Sequence, residues 1–279
     1  MSFFIRFARQ WIAGETLDDA ITQTIKENKA GMGAIINFLG EHVRERKEAE
    51  TNLDENLRIL ESIEKSKVSA SLSIKLTQLG LMTVKKLCLS GVERIVSSAA
   101  SKNIFVWVDM ENSPYTEATV DIYLENLKKY RNIGIVIQSN LKRSEDDVKR
   151  ITTAGGIIRL VKGAYSEKSE IAYTSRKDVT INFSKLMGYL FYKSPFFAIA
   201  THDELLINEA IEANKVHQKR MEIQMLMGVR DELKHELVNR GYTVVDYIPY
   251  GKSWLPYTTR RLRERKRNIL LILRSIFDL

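Results

Sequence analysis

Tyr257, Arg260, Arg261 and Glu264 recur at i, i+3, i+4 and i+7, the spacing at which a soluble helix presents one face. That face is ordinarily apolar. Two guanidiniums and a carboxylate on it could grip a small anion and a second group beside it, because an arginine fork meets a carboxylate through paired hydrogen bonds. Other polar residues stand where β-rich runs end: Lys75, Asp109, Gln138, Arg159 with Lys162, Thr201 with His202, and Tyr247. One polar residue at a strand end is ordinary, since the chain is leaving the core there. Six of eight runs ending in this way predict a polar pocket.

The eight runs are Ala34 to Leu39, Val68 to Leu76, Ile104 to Asp109, Ile133 to Ile137, Ile157 to Val161, Phe196 to Ala200, Ile223 to Leu226 and Thr243 to Tyr247. Each interval leaves room for one helix, a pattern that predicts a distorted (β/α)8 TIM-like barrel. Thr16 reads as the cap of a helix running to Ile25. Leu53, Leu57 and Leu60 mark a packing helix over residues 52 to 62, and Pro114 opens another towards Leu127. Phe3, Phe7 and Trp11 stand at i, i+4 and i+8 and predict a docked amphipathic helix near the start. The expected organisation is a single domain over 1–279, with N-terminal helices in 1–33 and the barrel in 34–279.

At 279 residues and 44% hydrophobic composition the chain can bury a substantial core, and 14 Gly with 4 Pro reveal no linker. The single Cys88, flanked by Leu87 and Leu89, reads as a buried small hydrophobe and points to a reducing, cytoplasmic setting. No window reaches the roughly 18 apolar residues of a membrane span. The net charge of +8 suits an anionic partner, and seven basic residues against the single acid Glu264 crowd the stretch from Lys252 to Arg267. Arg263, Arg265, Lys266 and Arg267, followed by Ile269, Leu270, Ile272, Leu273, Ile276 and Phe277, fit either docking on the barrel or peripheral contact with the inner face of a membrane. Aromatic interleaving and a reading motif are absent, so no nucleic-acid partner is expected.

Familiar motifs fail on inspection. Gly31-Met-Gly33 precedes a strand instead of following one, and Gly251-Lys252-Ser253 has Asp246 where a phosphate loop needs glycine. The four histidines show no metal-ligand spacing, so no metal site is expected. Lys75 or Lys162 could serve a Schiff-base barrel enzyme if its amine were uncharged.

Several segments, taken in order, resemble the proline dehydrogenase family. They are Trp11-Ile-Ala-Gly14-Glu15-Thr16-Leu, Ser73-Ile-Lys75-Leu, Ile135-Val-Ile-Gln138, Arg159-Leu-Val-Lys162-Gly163-Ala164-Tyr165 and Ala200-Thr201-His202-Asp203, then Gln224-Met-Leu226-Met-Gly228, Tyr247-Ile-Pro249-Tyr-Gly251 and Tyr257-Thr-Thr-Arg260-Arg261-Leu-Arg-Glu264. The resemblance covers essentially the whole chain. It implies a monofunctional, FAD-dependent enzyme that oxidises L-proline to Δ1-pyrroline-5-carboxylate and delivers electrons to a quinone.

By the same resemblance, Arg260, Arg261 and Lys75 would bind the proline carboxylate. Tyr247, Tyr257, Leu226 and Tyr165 would enclose the ring. Gln138, Arg159, Lys162, Gly163, Ala164, Thr201 and His202, with Met110 and Glu264, would contact FAD. Arg159 would stabilise charge on the reduced flavin, and Asp109 would act at the catalytic centre by orienting Lys75 or Tyr247. Tyr250 is bulkier than the small residue the family often carries there, and would tighten or cover the pocket.

Overall fold

The computed structural model describes residues 8–40 and 42–261. Eight parallel strands close into a barrel in chain order: β1 (Gly33–Phe38), β2 (Ala70–Ile74), β3 (Val106–Val108), β4 (Ile133–Gln138), β5 (Ile157–Val161), β6 (Phe196–Ala200), β7 (Arg220–Leu226) and β8 (Val244–Tyr250). The seam is continuous, with Gly33 to Phe38 paired in register against Val245 to Tyr250. Each strand is covered on both faces, which is why β4 reads Ile-Gly-Ile-Val-Ile-Gln and all six of its residues are buried.

The outer layer comprises α1 (Leu17–Lys29), α2 (Arg46–Ser66), α3 (Lys85–Ser101), α4 (Thr116–Leu127), α5 (Ser144–Thr153), α6 (Arg176–Lys193), α7 (Glu204–His217) and α8 (Asp231–Asn239). Thr16 caps α1 in a reciprocal box: its Oγ1 accepts the Asp19 N–H at 3.2 Å, and its own N–H donates to Asp19 Oδ2 at 3.0 Å. Pro114 lies in a 3-10 turn, Ser113–Tyr115, that leads into α4. α2 is ten residues longer than its leucine stripe predicts (21 against 11). The excess, residues 46–51 and 63–66, is mostly polar and charged and sends only Ala49 and Ile63 into the core, too few to mark a stripe, while within the stripe Asn52 and Asn56 share the buried face. Asn52 donates to the Gln78 carbonyl at 3.0 Å and Asn56 to the Asn52 carbonyl at 2.7 Å.

At the amino ends of the strands the barrel interior is plugged by Ile35, Trp107, Ala198 and Val245, with Phe105, Ile157 and Phe196 against them. Gly134 makes room for the Trp107 ring, since a Cβ there would stand 2.5 Å from it. This apolar plug closes one end and leaves the carboxyl end to polar side chains.

Both described ends of the chain meet at that polar end. Ala8, Trp11 and Ile12 bury themselves with Leu39 and Tyr257, and Trp254 packs on the same cluster. Backbone bonds fasten the arm, Ala13 N–H to the Pro249 carbonyl at 2.9 Å and Gly251 N–H to the Gly14 carbonyl at 3.0 Å. Gly228, at φ +68°, lets the Gln10 carbonyl occupy the place a Cβ would take. Trp11 is thus docked as expected, whereas Phe3 and Phe7 lie outside the described residues. Among the described residues no helix is long and apolar enough to cross a membrane.

Candidate functional site at the barrel mouth

Side chains two apart on a strand share a face. Ser73 on β2, Arg159 on β5, Gln224 on β7 and Tyr247 on β8 therefore turn into the barrel, joined by Lys75 and Asp109 just past β2 and β3. Asp109 is the hub. Its Oδ1 accepts Ser73 Oγ at 2.6 Å and the Arg159 guanidinium, while its Oδ2 accepts Lys75 Nζ at 2.5 Å and the Tyr247 hydroxyl at 2.7 Å. Burial alone would raise the Asp109 carboxyl, but Lys75 and Arg159, helped by hydrogen bonds from Lys75 and Ser73, hold it down at about 2. Burial and the adjacent Asp109 push Tyr247 the other way, so it remains a phenol.

Arg159 is held on every side. Its guanidinium lies 5.2 Å from the Trp107 ring centroid and 5.5 Å from that of Tyr247, and Nη1 donates to Gln224 Oε1 at 3.3 Å. Lys75 and Arg159 thus share the one carboxylate of Asp109 on the cavity side.

Above it opens a cavity of about 1070 Å³, at the upper end of the roughly 300–1,000 Å³ usual for small-molecule sites. Lys75, Asp109, Met110, Gln138, Arg159, Lys162, Gly163, Ala164, Tyr165, Thr201, His202, Leu226, Tyr247, Tyr257, Arg260 and Arg261 all line it. The residues singled out from the sequence for substrate, cofactor and catalysis are therefore brought together except Glu264, which lies outside the described residues, while Tyr250 is not among the lining.

The rim is built differently. Residues 254–261 are helical beyond β8 and carry the buried Tyr257. Consecutive residues on a helix diverge by about 100°. Arg261 accordingly lies 5.3 Å over the Tyr257 ring, and Arg260 reaches 6.0 Å from the Tyr165 ring in the loop after β5. That loop is tied back at Glu167, which accepts the Ser113 N–H at 2.7 Å and its Oγ at 2.6 Å.

On the remaining wall, Gln138 Nε2 donates to the Glu111 carbonyl at 2.9 Å, and Thr201 Oγ1 accepts the Asp203 N–H at 3.1 Å. Lys162 is paired with Asp203 at 2.6 Å and donates to Thr180 at 3.2 Å. His202 Nε2 accepts the Leu226 N–H at 2.9 Å, so the neutral ring carries its proton on Nδ1. Burial, then the charges of Lys234, Arg261 and Arg230, lower His202 to about 3. Gly163 has φ +103°, and a Cβ there would stand 2.1 Å from Asn140 Oδ1, so the chain passes the cavity bare.

Tyr250 corrects an expectation. It does not line the cavity but faces outwards, where its hydroxyl donates to Glu55 Oε1 at 2.7 Å. It follows Pro249 on β8, and alternation along the strand sends it into the helix layer. Cys88 is buried, its thiol pushed up to about 12 mainly by burial. Gln224, Ser73 and Asn140 were missed as individual residues. The inward alternation of Gln224 with Leu226 and of Ser73 with Lys75 was a usable signal; Asn140, in a loop, offered none.

A closed (β/α)8 barrel with a cation-rich, ligand-sized cavity at the carboxyl ends of its strands has the architecture of a small-molecule barrel enzyme. The family model for proline dehydrogenase matches residues 20–269, and this chain belongs to that family. Proline dehydrogenase 1 of Bacillus subtilis (strain 168) is 32% identical over 272 residues, 96% of this chain and 90% of the relative. Proline dehydrogenase of Deinococcus radiodurans is 28% identical over 277 residues, 96% and 89% of the two chains. Among solved structures, proline utilization A from Bdellovibrio bacteriovorus, inactivated by N-propargylglycine, shares the fold with a TM-score of 0.85 over 91% of this chain at 24% identity. This chain spans 32% of that protein's length.

Proposed function

We propose that this protein oxidises L-proline to Δ1-pyrroline-5-carboxylate with FAD as the hydride acceptor, the first step of proline catabolism, and that a quinone takes the electrons onward. The observation that carries the reading is one cavity with two separate sets of cations, Lys75 and Arg159 on the floor and Arg260 and Arg261 at the rim. Arg260 and Arg261 with Lys75 suffice for a single small carboxylate. Arg159 is left over and fits a cofactor that gains negative charge.

The wall suits a dinucleotide. Its volume leaves room for one beside a small acid, and Gly163 brings bare backbone to the cavity. Among the described residues the buried Asn140 Oδ1 has no hydrogen-bond partner, an acceptor that a ligand hydroxyl or N–H would satisfy. Met110, Gln138, Arg159, Lys162, Gly163, Ala164, Thr201 and His202 would hold FAD, with Glu264 as a further contact. FAD, when bound, supplies the two-electron acceptor.

In this reading Arg260, Arg261 and Lys75 clamp the substrate carboxylate, and Tyr247, Tyr257 and Leu226 wall the ring, with Tyr165 above it. Arg159 offers fixed positive charge where negative charge develops. Asp109 fixes Arg159, Lys75 and Tyr247; at about 2 it is far too weak a base to deprotonate a secondary ammonium. The substrate amine therefore loses its proton before the transfer, and the rate rises with pH between 6 and 9. Lys75 and Lys162 are each held by a carboxylate, Asp109 and Asp203, and not presented towards a carbonyl as a Schiff-base enzyme needs.

The purified protein should be yellow or take up FAD, bleach anaerobically with L-proline, and regain its colour with a water-soluble quinone. Protein that binds no flavin would overturn the reading. Bleaching without recovery would remove the quinone from it.

A further inference from the structure

Arg159 faces a second carboxylate that the proposed chemistry does not use. In the strand register Arg159 pairs with Ala198, and Ala198 pairs with Glu222, so the three stand level across β5, β6 and β7. The small Ala198 side chain leaves no bulk between them. A guanidinium and a carboxylate at one height in a barrel attract, and direct pairing would draw Arg159 down, away from the cavity. The structure holds another arrangement. Gln224, one inward position higher on β7, donates from Nε2 to Glu222 Oε2 at 2.9 Å and accepts Arg159 Nη1 at Oε1 at 3.3 Å.

The sense of that bridge is dictated at both ends. A carboxylate only accepts and a guanidinium only donates, so the amide must turn its nitrogen to Glu222 and its oxygen to Arg159. Gln224 is itself buried, at 2% exposure, and water does not compete for these bonds. Other charge near Glu222 comes from Arg220, whose guanidinium lies 4.6 Å over the Phe196 ring at the amino end of the barrel. Burial raises the Glu222 carboxyl, while Gln224, Arg220 and Arg159 oppose the rise.

We propose that Gln224 is a positioning residue for Arg159: it occupies the Glu222 carboxylate, offers its own oxygen in exchange, and so keeps the guanidinium on the cavity side against Asp109. This rests on the reading that Arg159 serves a flavin. It adds that the buried amide, not only the salt bridge to Asp109, sets the height of the charge.

The test uses full-length, FAD-loaded protein at pH 8, with flavin reduction by L-proline followed in single turnover and the flavin midpoint potential measured separately. Parent protein that fails to bind FAD or to bleach would break the functional reading, whereas the inference is decided by differences among variants. Gln224→Met keeps length and volume but removes the bridge. It should slow reduction about tenfold and shift the potential negative, with the apparent Kd for L-proline within about twofold, since small displacements of a positioned group have effects of this size. Adding Glu222→Leu to Gln224→Met removes the competing carboxylate and should restore the rate to within about threefold of the parent, a non-additive pair. A double variant as slow as Gln224→Met, or an unimpaired Gln224→Met, would overturn the proposal. If the Met variant does not fold, Glu222→Gln decides. It retains an acceptor for Gln224 and should lie within about twofold of the parent, and a tenfold loss there would also overturn it.

Discussion

The floor and the rim of the cavity are built on different principles. The floor residues Ser73, Lys75, Asp109, Arg159, Gln224 and Tyr247 sit on or directly beyond five different strands, and most are bonded to one another inside the closed barrel. The rim residues Tyr165, Arg260 and Arg261 sit on a loop and on a helix beyond the last strand, and their cations rest on aromatic faces. In the proposed reading, charge that must be fixed before reaction sits on the strands of the closed barrel, and the grip on the ligand sits on a loop and a helix beyond them.

Breaking the floor should have the largest effect. Asp109→Ala leaves Lys75 and Arg159 facing each other inside the barrel, which should destabilise the protein by about 3–5 kcal/mol and slow flavin reduction by about 10² to 10³. Urea unfolding and stopped-flow reduction would measure both. A variant as stable as its parent would mean that the floor is not an interlocked unit.

The rim should respond in the opposite way. Arg261→Met removes one charged grip and should raise the L-proline concentration for half-maximal reduction about 10- to 100-fold, while the urea midpoint barely moves. Arg265, in the same basic run but outside the described residues, should tolerate the same change within about twofold. Equal losses from the two substitutions would make the run mere surface charge.

An effect that shows only on acidification lies where wall meets rim, at His202. Its folded value of about 3 is below the ordinary 6.5, so on acidification the unfolded chain takes up a proton that the folded one refuses. Stability from this group is complete above pH 6.5 and falls as pH drops towards 3, with a slope of at most about 1.4 kcal/mol per pH unit. Urea midpoints of the parent and His202→Asn between pH 6.5 and 4 should fall more steeply in the parent. Parallel curves would place the proton uptake elsewhere.

Most of the barrel was legible because strands covered on both faces must be apolar throughout and their spacing leaves one helix apiece. The full length of α2 was less legible, because its end turns are polar and charged and bury only Ala49 and Ile63. The same split runs through the site. Charged strand ends announce themselves, as Lys75, Asp109 and Arg159 did, since a charge beside a hydrophobic run needs a reason. Ser73 and Gln224 are uncharged and sit inside strands, so only their inward alternation could have marked them. Tyr250 was placed on the wrong side of β8 because a motif fixes neighbours along the chain but not which way each one turns.

Residues 13–14 are bonded to residues 249 and 251, and Trp11 packs on Tyr257, so the opening and closing stretches of this fold are one physical piece. During synthesis residues 8–14 emerge before the strand that fastens them. A chain halted before β8 leaves this arm without Pro249, Gly251 and Tyr257, with only Leu39 and the turn at Gly228 to rest against.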